Sequence, residues 1–363
     1  MHQFKALCKK KRTKKRSKRL WLRKIKSKIK RKLKRKAKIK VKRIDREVTN
    51  YLKHNWDISK IVAPKNLSFV KNTNEVTKFI NKISDCYDKN KKVFVVLTYV
   101  EILTYDSLVV LLSIMIKFKA KKIAFNGSYP SNKSAYHILE QSGFMKYLLF
   151  KDFKLSDSYD LPTKSSIYSH ANKNVDSVLG DKIITSASTT IWGEKRRCQG
   201  VQKTFLELML NTNNHADIEM EGVKHWWLSV FHIPEEKKVA FSFVDFGVGV
   251  FNSLEKKTSR SKWYGWMQKL ASAFDFSNNA DILKLILDGK LHTTVTNQPY
   301  RGNGLPGLKL ALSRNQISNL HIITNNVKAD VKNENYSLIN QNFSGTFVYW
   351  ELSQINMSCD GNA

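Results

Sequence analysis

Four short runs in the second half of the 363-residue chain carry residue types able to hold an anion or handle a proton. In ELMLNTNNHA, Glu207, Asn211 and His215 recur at i, i+4 and i+8 within an amphipathic pattern starting near Val201, so they stack along one helix face. Taken alone, such a row is also the ordinary polar decoration of a surface helix. In VDFGVGV (Val244–Val250), Asp245 ends an apolar strand and Gly247 and Gly249 follow, setting a carboxylate beside backbone free to take unusual φ values. In RGNGLPGLKLAL (Arg301–Leu312), Gly302, Gly304 and Gly307 lead into an apolar helix whose N-terminal amides form a ready anion site, with Pro306 suited to the first turn. No Gly-Lys-Ser/Thr follows, so this run is not a Walker P-loop. In SGTFVYWEL (Ser344–Leu352), Gly345 and Thr346 enter an alternating strand. Singly, the last three runs also read as a glycine turn with a capping Asp, a Gly-rich loop and a strand start.

In this order, E-x-x-x-N-x-x-x-H-A on a helix, D-x-G-x-G after a strand, G-x-G-L before a helix and G-T before a last strand resemble the GHKL (Bergerat) ATP-binding fold over Val201–Leu352. The first run is most similar to the anti-sigma-factor Ser/Thr kinases of that family. The resemblance implies ATP and Mg²⁺ as cofactors, with a role for each matched residue. Asn211 would coordinate Mg²⁺, itself bridging the triphosphate oxygens. Glu207, one turn earlier, matches the general base. His215 matches a third polar position near the phosphates. Asp245 would accept a hydrogen bond from the adenine amino group, and Gly247 and Gly249 would let the backbone pass close to the nucleotide. Arg301, Gly302, Gly304 and Leu305 belong to the third box, where the two glycines would hinge a lid and present amides to the phosphates. Thr346 would support Asp245 and an adenine-bridging water. Asn252–Tyr300 is long for such a lid and carries Trp263, Trp266 and the mostly apolar run Ile282–Leu287, which predicts one or two extra helices. Autophosphorylation on His would require a two-helix dimerisation segment before the ATP domain, and none is evident.

The elements that must position these boxes are partly legible. A hairpin with arms His225–Ile233 and Lys238–Val244, turning at Pro234–Lys237, delivers Asp245. Upstream, over about 60–155, strands at Leu67–Val70, Val93–Thr98 and Lys122–Asn126 alternate with helices at Val76–Tyr87, Ser107–Phe118 and Asn132–Ser142. That order predicts a small α/β layer. Within it, VVLTYVEILTYDSLVVLL (Val95–Leu112) resembles the strand–loop–helix centre of a STAS domain, the anti-anti-sigma-factor fold, and KIAFNGSYPSNKSAYHILEQSGF has that family's cadence. The family's regulatory loop reads Asp-Ser-Ser-Gly; here Thr104, Tyr105, Asp106 and Ser107 stand there, with Asp106 at the phosphoacceptor place. An acid at that place is no substrate for a Ser kinase. It either imitates the charged state or, on the better-supported reading, caps a helix starting at Ser107.

Charge divides the chain. Of 64 Lys+Arg against 30 Asp+Glu, a formal net charge of +34, 24 basic residues and no acid lie in residues 1–43. Leu22, Ile25, Ile29 and Leu33 give this head one apolar helix face. It suits an arm for the phosphate backbones of nucleic acid, a basic amphipathic helix on an anionic membrane, or a solubilising tail; nucleic acid carries the most weight. Only Phe4 and Trp21 of the head are available for base stacking, so the head implies no sequence readout. A hydrophobic content of 42% excludes global disorder, and four scattered cysteines argue against a disulfide framework or a structural zinc site. The charge-free run Leu108–Ile116 is too short to span a bilayer, and no apolar h-region follows the basic start, so no transmembrane segment and a cytoplasmic location are expected.

The expected fold class is therefore α/β and α+β: a basic helical or disordered arm (1–45), a STAS-like domain (60–155), a Ser/Asp/Thr/Lys-rich linker (156–185), a GHKL α/β sandwich (186–356) and a tail (357–363). The expected function is an ATP/Mg²⁺-binding regulator using nucleotide binding or slow hydrolysis as a conformational switch, with the arm on a polyanion. The absence of an in-chain phosphoacceptor at Asp106 and the basic head favour the switch. An anti-sigma-type Ser/Thr protein kinase, and a nucleic-acid-binding protein with a vestigial ATP site, remain alternatives. A protein partner on the STAS-like domain and a homodimer are compatible with either.

Overall fold

The computed structural model of the chain describes residues 57–144, 166–170, 177–215, 226–247, 249–251, 278–290 and 304–356, with residues 27–28, 31, 35, 41–43, 45–47 and 49–50 in helix. The N-terminal part runs β1 (Ser59–Val62), β2 (Asn66–Leu67), α1 (Thr73–Asp88), β3 (Val93–Val96), β4 (Ile102–Leu103), α2 (Tyr105–Ala120), β5 (Phe125–Ser128) and α3 (Lys133–Gln141). The C-terminal part runs β6 (Ser166–His170), α4 (Ser177–Trp192), α5 (Gln199–His215), β7 (Trp226–Ile233), β8 (Lys238–Asp245), α6 (Asn279–Leu287), α7 (Gly304–Ser313), β9 (Ser318–Asp330) and β10 (Asn335–Ser353). Strands β1-β3-β5 form a parallel sheet, β2-β4 a short parallel pair, and β6-β7-β8-β10-β9 an antiparallel sheet, so the protein is mixed α/β.

The antiparallel sheet is buried on both faces. Along β10, Val348, Trp350 and Leu352 join one core with α4, α5, α6 and α7, whereas Phe343 and Phe347 join a second core with α1 and α2. Period-2 alternation thus sorts one strand between two cores. Phe241 and Trp350 stack at 5.3 Å on the first side, and Phe69 meets Phe343 and Phe347 edge-on at 5.1 and 4.8 Å on the second. Helix α2 lies in the second core, against both the antiparallel sheet and the sheet of β3 and β5, so residues all round it, from Leu108 to Phe118, are buried. A helix with no polar face must be covered on every side. That position, and not a bilayer, accounts for the most apolar stretch of the chain; no described helix is long and apolar enough to cross a membrane.

Several elements depart from their sequence reading. The strand expected at Lys122–Asn126 is displaced to Phe125–Ser128, because the end of α2 turns first: Lys122 takes φ 57° and the Ile123 amide donates to the Phe118 carbonyl at 2.9 Å. The first strand of the parallel sheet is Ser59–Val62, while the strand read at Leu67–Val70 shrinks to Asn66–Leu67, since Asn72 N–H bonds the Ser68 carbonyl at 2.8 Å and closes a turn. Helix α2 starts at Tyr105, not Ser107.

The expected linker holds edge strand β6 and the first turns of α4. The helix runs on past the expected boundary through a Ser/Thr-rich stretch whose hydroxyls bond within it: Ser188 and Thr189 donate to the Thr185 carbonyl at 3.0 and 2.8 Å, and Thr190 to that of Ser186 at 3.2 Å. Leu179, Ile183, Ala187 and Ile191 meanwhile pack into the first core. The hairpin forms as read, with Pro234–Glu236 as a 3₁₀ turn and Lys237 at φ 46°. An extra helix does lie in the long region before the third box: α6, closed by a capping box between Asn278 and Asp281. The apolar stripe of the arm, Trp263, Trp266, Arg301, Gly302 and the tail lie outside the described residues.

Candidate functional site

Asp245 is the last residue of β8, in register with Trp226 of β7 and Thr346 of β10. Its Oδ1 accepts the Thr346 backbone N–H at 3.0 Å. Its Oδ2 has a long contact, 3.4 Å, with the Thr212 hydroxyl, which also donates to the Leu208 carbonyl at 3.1 Å. One hydroxyl proton serves one acceptor at a time, so Oδ2 keeps acceptor capacity for a further N–H. Burial raises the Asp245 carboxyl to about 6, opposed by the Thr346 amide, the Thr212 hydroxyl and the charge of Lys117.

Two glycines make this geometry possible. Gly345 has φ +138°, and a Cβ there would strike the Asp245 carbonyl, so only glycine lets β10 come this close. Gly249 has φ +75°, and a Cβ there would strike the Asn325 side-chain amide. The helical residues 249–251 are tied to β9 at that point: Val250 N–H donates to Thr324 Oγ1 at 3.1 Å and Phe251 N–H to Asn325 Oδ1 at 3.2 Å. Thr324 Oγ1 in turn donates to the Gly345 carbonyl at 3.0 Å. The D-x-G-x-G and G-T boxes are therefore one hydrogen-bonded unit.

Helix α5 buries Val201, Thr204, Phe205, Leu208, Met209 and Thr212, the i, i+3, i+4 stripe expected of a helix on a sheet. Half-buried Glu207 lies on the shoulder of that stripe. Asn211 and His215 continue its row along the helix, with side chains outside the described residues. Thr212, next to Asn211, brings α5 to Asp245. Helix α7 runs beside α5: a Cβ on Gly307 would lie 3.5 Å from Lys203 Cε. Gly304 is its buried first residue, Pro306 falls in its first turn, and Leu305 packs on the core. Thr346 acts on Asp245 through its backbone amide.

From the sequence, Asp245, Gly249 and Thr346 receive a role and Gly345 is seen only as the partner of Thr346, while Thr212, Thr324 and Asn325, which complete the unit, are not singled out. It also missed Lys117. This α2 residue, on the second-core side of the sheet, sets its ammonium 3.9 Å from the centre of the Phe246 ring. Burial lowers its amine to about 8, against the pull of Asp88 and Asp245. Phe246 also packs on Phe343 at 5.8 Å. The residue after Asp245 is thus packed, half-buried, against the second core.

Asp106 stands in contrast. It is buried, and its Oδ2 accepts Ser68 Oγ at 3.2 Å and Val70 N–H at 3.1 Å, while Oδ1 accepts Ser107 N–H at 2.6 Å and the Thr104 hydroxyl. Asp106 is the second residue of α2, whose N-cap is Thr104, so it is not the cap of a helix starting at Ser107 that the sequence suggested; from inside the first turn it accepts the Ser107 amide and staples the turn after β2 to that helix. Among the described residues, no three His, Cys, Asp or Glu side chains converge to hold a metal ion. Comparisons with protein-family models, curated proteins and solved structures find no match to this chain.

Proposed function

We propose that this chain is an ATP- and Mg²⁺-binding regulatory protein of the GHKL type, with a STAS-like part behind its nucleotide site and a polybasic arm for a polyanion. The observation that carries this reading is the surrounding of Asp245. A half-buried carboxylate with one firm donor and one unfilled oxygen, backed by glycines that admit no side chain, suits an exocyclic amino group such as that of adenine. Thr212 sets the neighbouring Asn211 close to that carboxylate along the chain, which suits a helix supplying a Mg²⁺ ligand beside the base site. Bound ATP would bring the phosphates, and Mg²⁺ would neutralise them; the protein's own part is to orient the base and position Glu207 as base toward a water or hydroxyl.

The switch follows from Phe246. Because the residue after the base-binding Asp245 is packed between Phe343 and Lys117, a rearrangement of the 245–249 turn on nucleotide binding is transmitted to α2. The test is titration of the full chain with a fluorescent ATP analogue and Mg²⁺, followed by incubation with γ-labelled ATP. Saturable binding competed by ATP but not GTP is expected, with label released slowly as phosphate and release lost in Glu207→Ala. Label on a co-purifying protein would favour the Ser/Thr kinase alternative, and no nucleotide binding at millimolar ATP would overturn the reading.

A further inference from the structure

We propose that the carboxyl-terminal end of the parallel sheet is a stacking surface for single-stranded nucleic acid, reached from the basic arm. Tyr99, Tyr129 and Tyr136 are 39%, 48% and 42% exposed, and Val62 and Ile102 at the same end are each 50% exposed. Soluble surfaces carry single exposed apolar residues, but exposed rings on adjoining loops, two of them 5.8 Å apart, mark a binding surface. Hydrogen bonds hold the loops that bear them together. Thr98 Oγ1 and Ser128 Oγ lie 2.8 Å apart, Leu97 N–H donates to Ser128 Oγ at 3.0 Å, and Ser131 N–H to the Thr98 carbonyl at 3.1 Å. Tyr99 and Tyr129 therefore project from adjoining loops fixed by the sheet. The Tyr129 and Tyr136 rings lie 5.8 Å apart at 50°, splayed and not stacked on each other, so neither shields the other's face fully.

Charge selects the occupant. The Tyr99 hydroxyl donates to Asp45 Oδ1 at 2.6 Å, which brings the end of the basic arm to this patch. Lys42, Arg43 and Arg46, helical and exposed, lie within three residues of that contact, and Lys65 and Lys133 are exposed on the neighbouring loop and on α3. Arg43 pairs with Glu47 at 3.0 Å and Lys65 with Glu101 at 3.3 Å, so the cationic weight comes from Lys42, Arg46, Lys133 and the 24 Lys and Arg of residues 1–43; rings beside that charge match a polyanion that carries aromatic faces. A duplex offers phosphates but keeps its bases stacked inside, whereas a single strand offers both phosphates and free base faces. The arm supplies salt-sensitive backbone attraction and the tyrosines supply the preference for unpaired bases. This surface lies on the parallel sheet, in residues separate from the Asp245 site, and does not rest on the nucleotide reading.

The experiment is fluorescence anisotropy of the full chain with labelled oligouridylate and oligothymidylate of about 12 nucleotides, a duplex of the same length, and phosphatidylserine vesicles, over a range of salt. Replacing Tyr129 and Tyr136 together by Ala is expected to weaken single-strand binding about tenfold or more, with duplex affinity and the salt slope unchanged. Replacing both by Phe should retain the affinity, because the ring face and not the hydroxyl does the binding. The relative affinity of the two oligomers separates RNA from DNA. Undiminished single-strand binding by the Ala variant, an equal loss toward duplex, or vesicle binding that is tighter and lost with the tyrosines would each overturn the proposal.

Discussion

Asp106 and Asp245 are both carboxylates placed beside the second core, yet their surroundings differ in one respect that separates structure from chemistry. Asp106 accepts four protein donors, from Ser68, Val70, Thr104 and Ser107, and its capacity is taken up in joining a turn to a helix. Asp245 has one good donor, the Thr346 amide, and a long second contact to Thr212. A carboxylate withdrawn from water and left short of donors is driven toward its neutral form until something supplies them, and desolvation indeed raises half-buried Asp245 to about 6. The saturated acid is a staple; the unsaturated one waits for a partner.

Breaking the staple should have the largest effect. Asp106→Ala leaves the Val70 and Ser107 amides without their acceptor and is expected to lower unfolding stability by about 3 kcal/mol, read from the urea midpoint. Asp245→Asn should do the reverse. The amide oxygen still accepts from Thr346 and no buried charge remains, so stability should hold or rise, while nucleotide affinity falls about thirtyfold. If both variants lost stability equally, the contrast between the two acids would collapse.

A pH series sharpens the comparison further. An amino-group donor favours ionised Asp245, so the bound carboxyl titrates below the free value of about 6. Nucleotide affinity should therefore be constant above pH 6 and fall by up to about tenfold per unit as pH drops through 6, measured in matched ionic strength. The smallest effect belongs to Lys117→Met. Loss of a cation that favours the Asp245 anion should move that inflection upward and weaken nucleotide binding at pH 6.5 by about two- to threefold. An unmoved inflection would show that α2 does not reach the site.

Legibility followed the range of the interactions. The β7–β8 hairpin formed close to its reading, because turn chemistry and period-2 apolarity are written within a few residues. The helix carrying Glu207 and Asn211, and the Asp245 box after its strand, were likewise visible. Gly345 was visible only as part of a Gly-Thr pair, since its purpose depends on the Asp245 carbonyl a hundred residues away. Thr212 was passed over because an interior helix threonine looks like a weak helix former until the neighbouring strand is known. Strands β1 and β6 were missed for the same reason: each is short, and its pairing with β3 or β7 is decided elsewhere in the chain.

By itself, the sequence determined the local elements, the order of the four boxes and the separation of a cationic head from a body with a core, because each rests on neighbouring residues or on composition. Only the tertiary structure decided that α2 is the layer between two sheets, that the antiparallel sheet is buried on both faces, and that Lys117 and Phe246 join the two halves beside Asp245. Apolar periodicity states that a face must be buried, not which surface will bury it. That choice belongs to shape and register over long separations, and here it placed Asp245, an acid short of donors, where both halves of the chain can feel it.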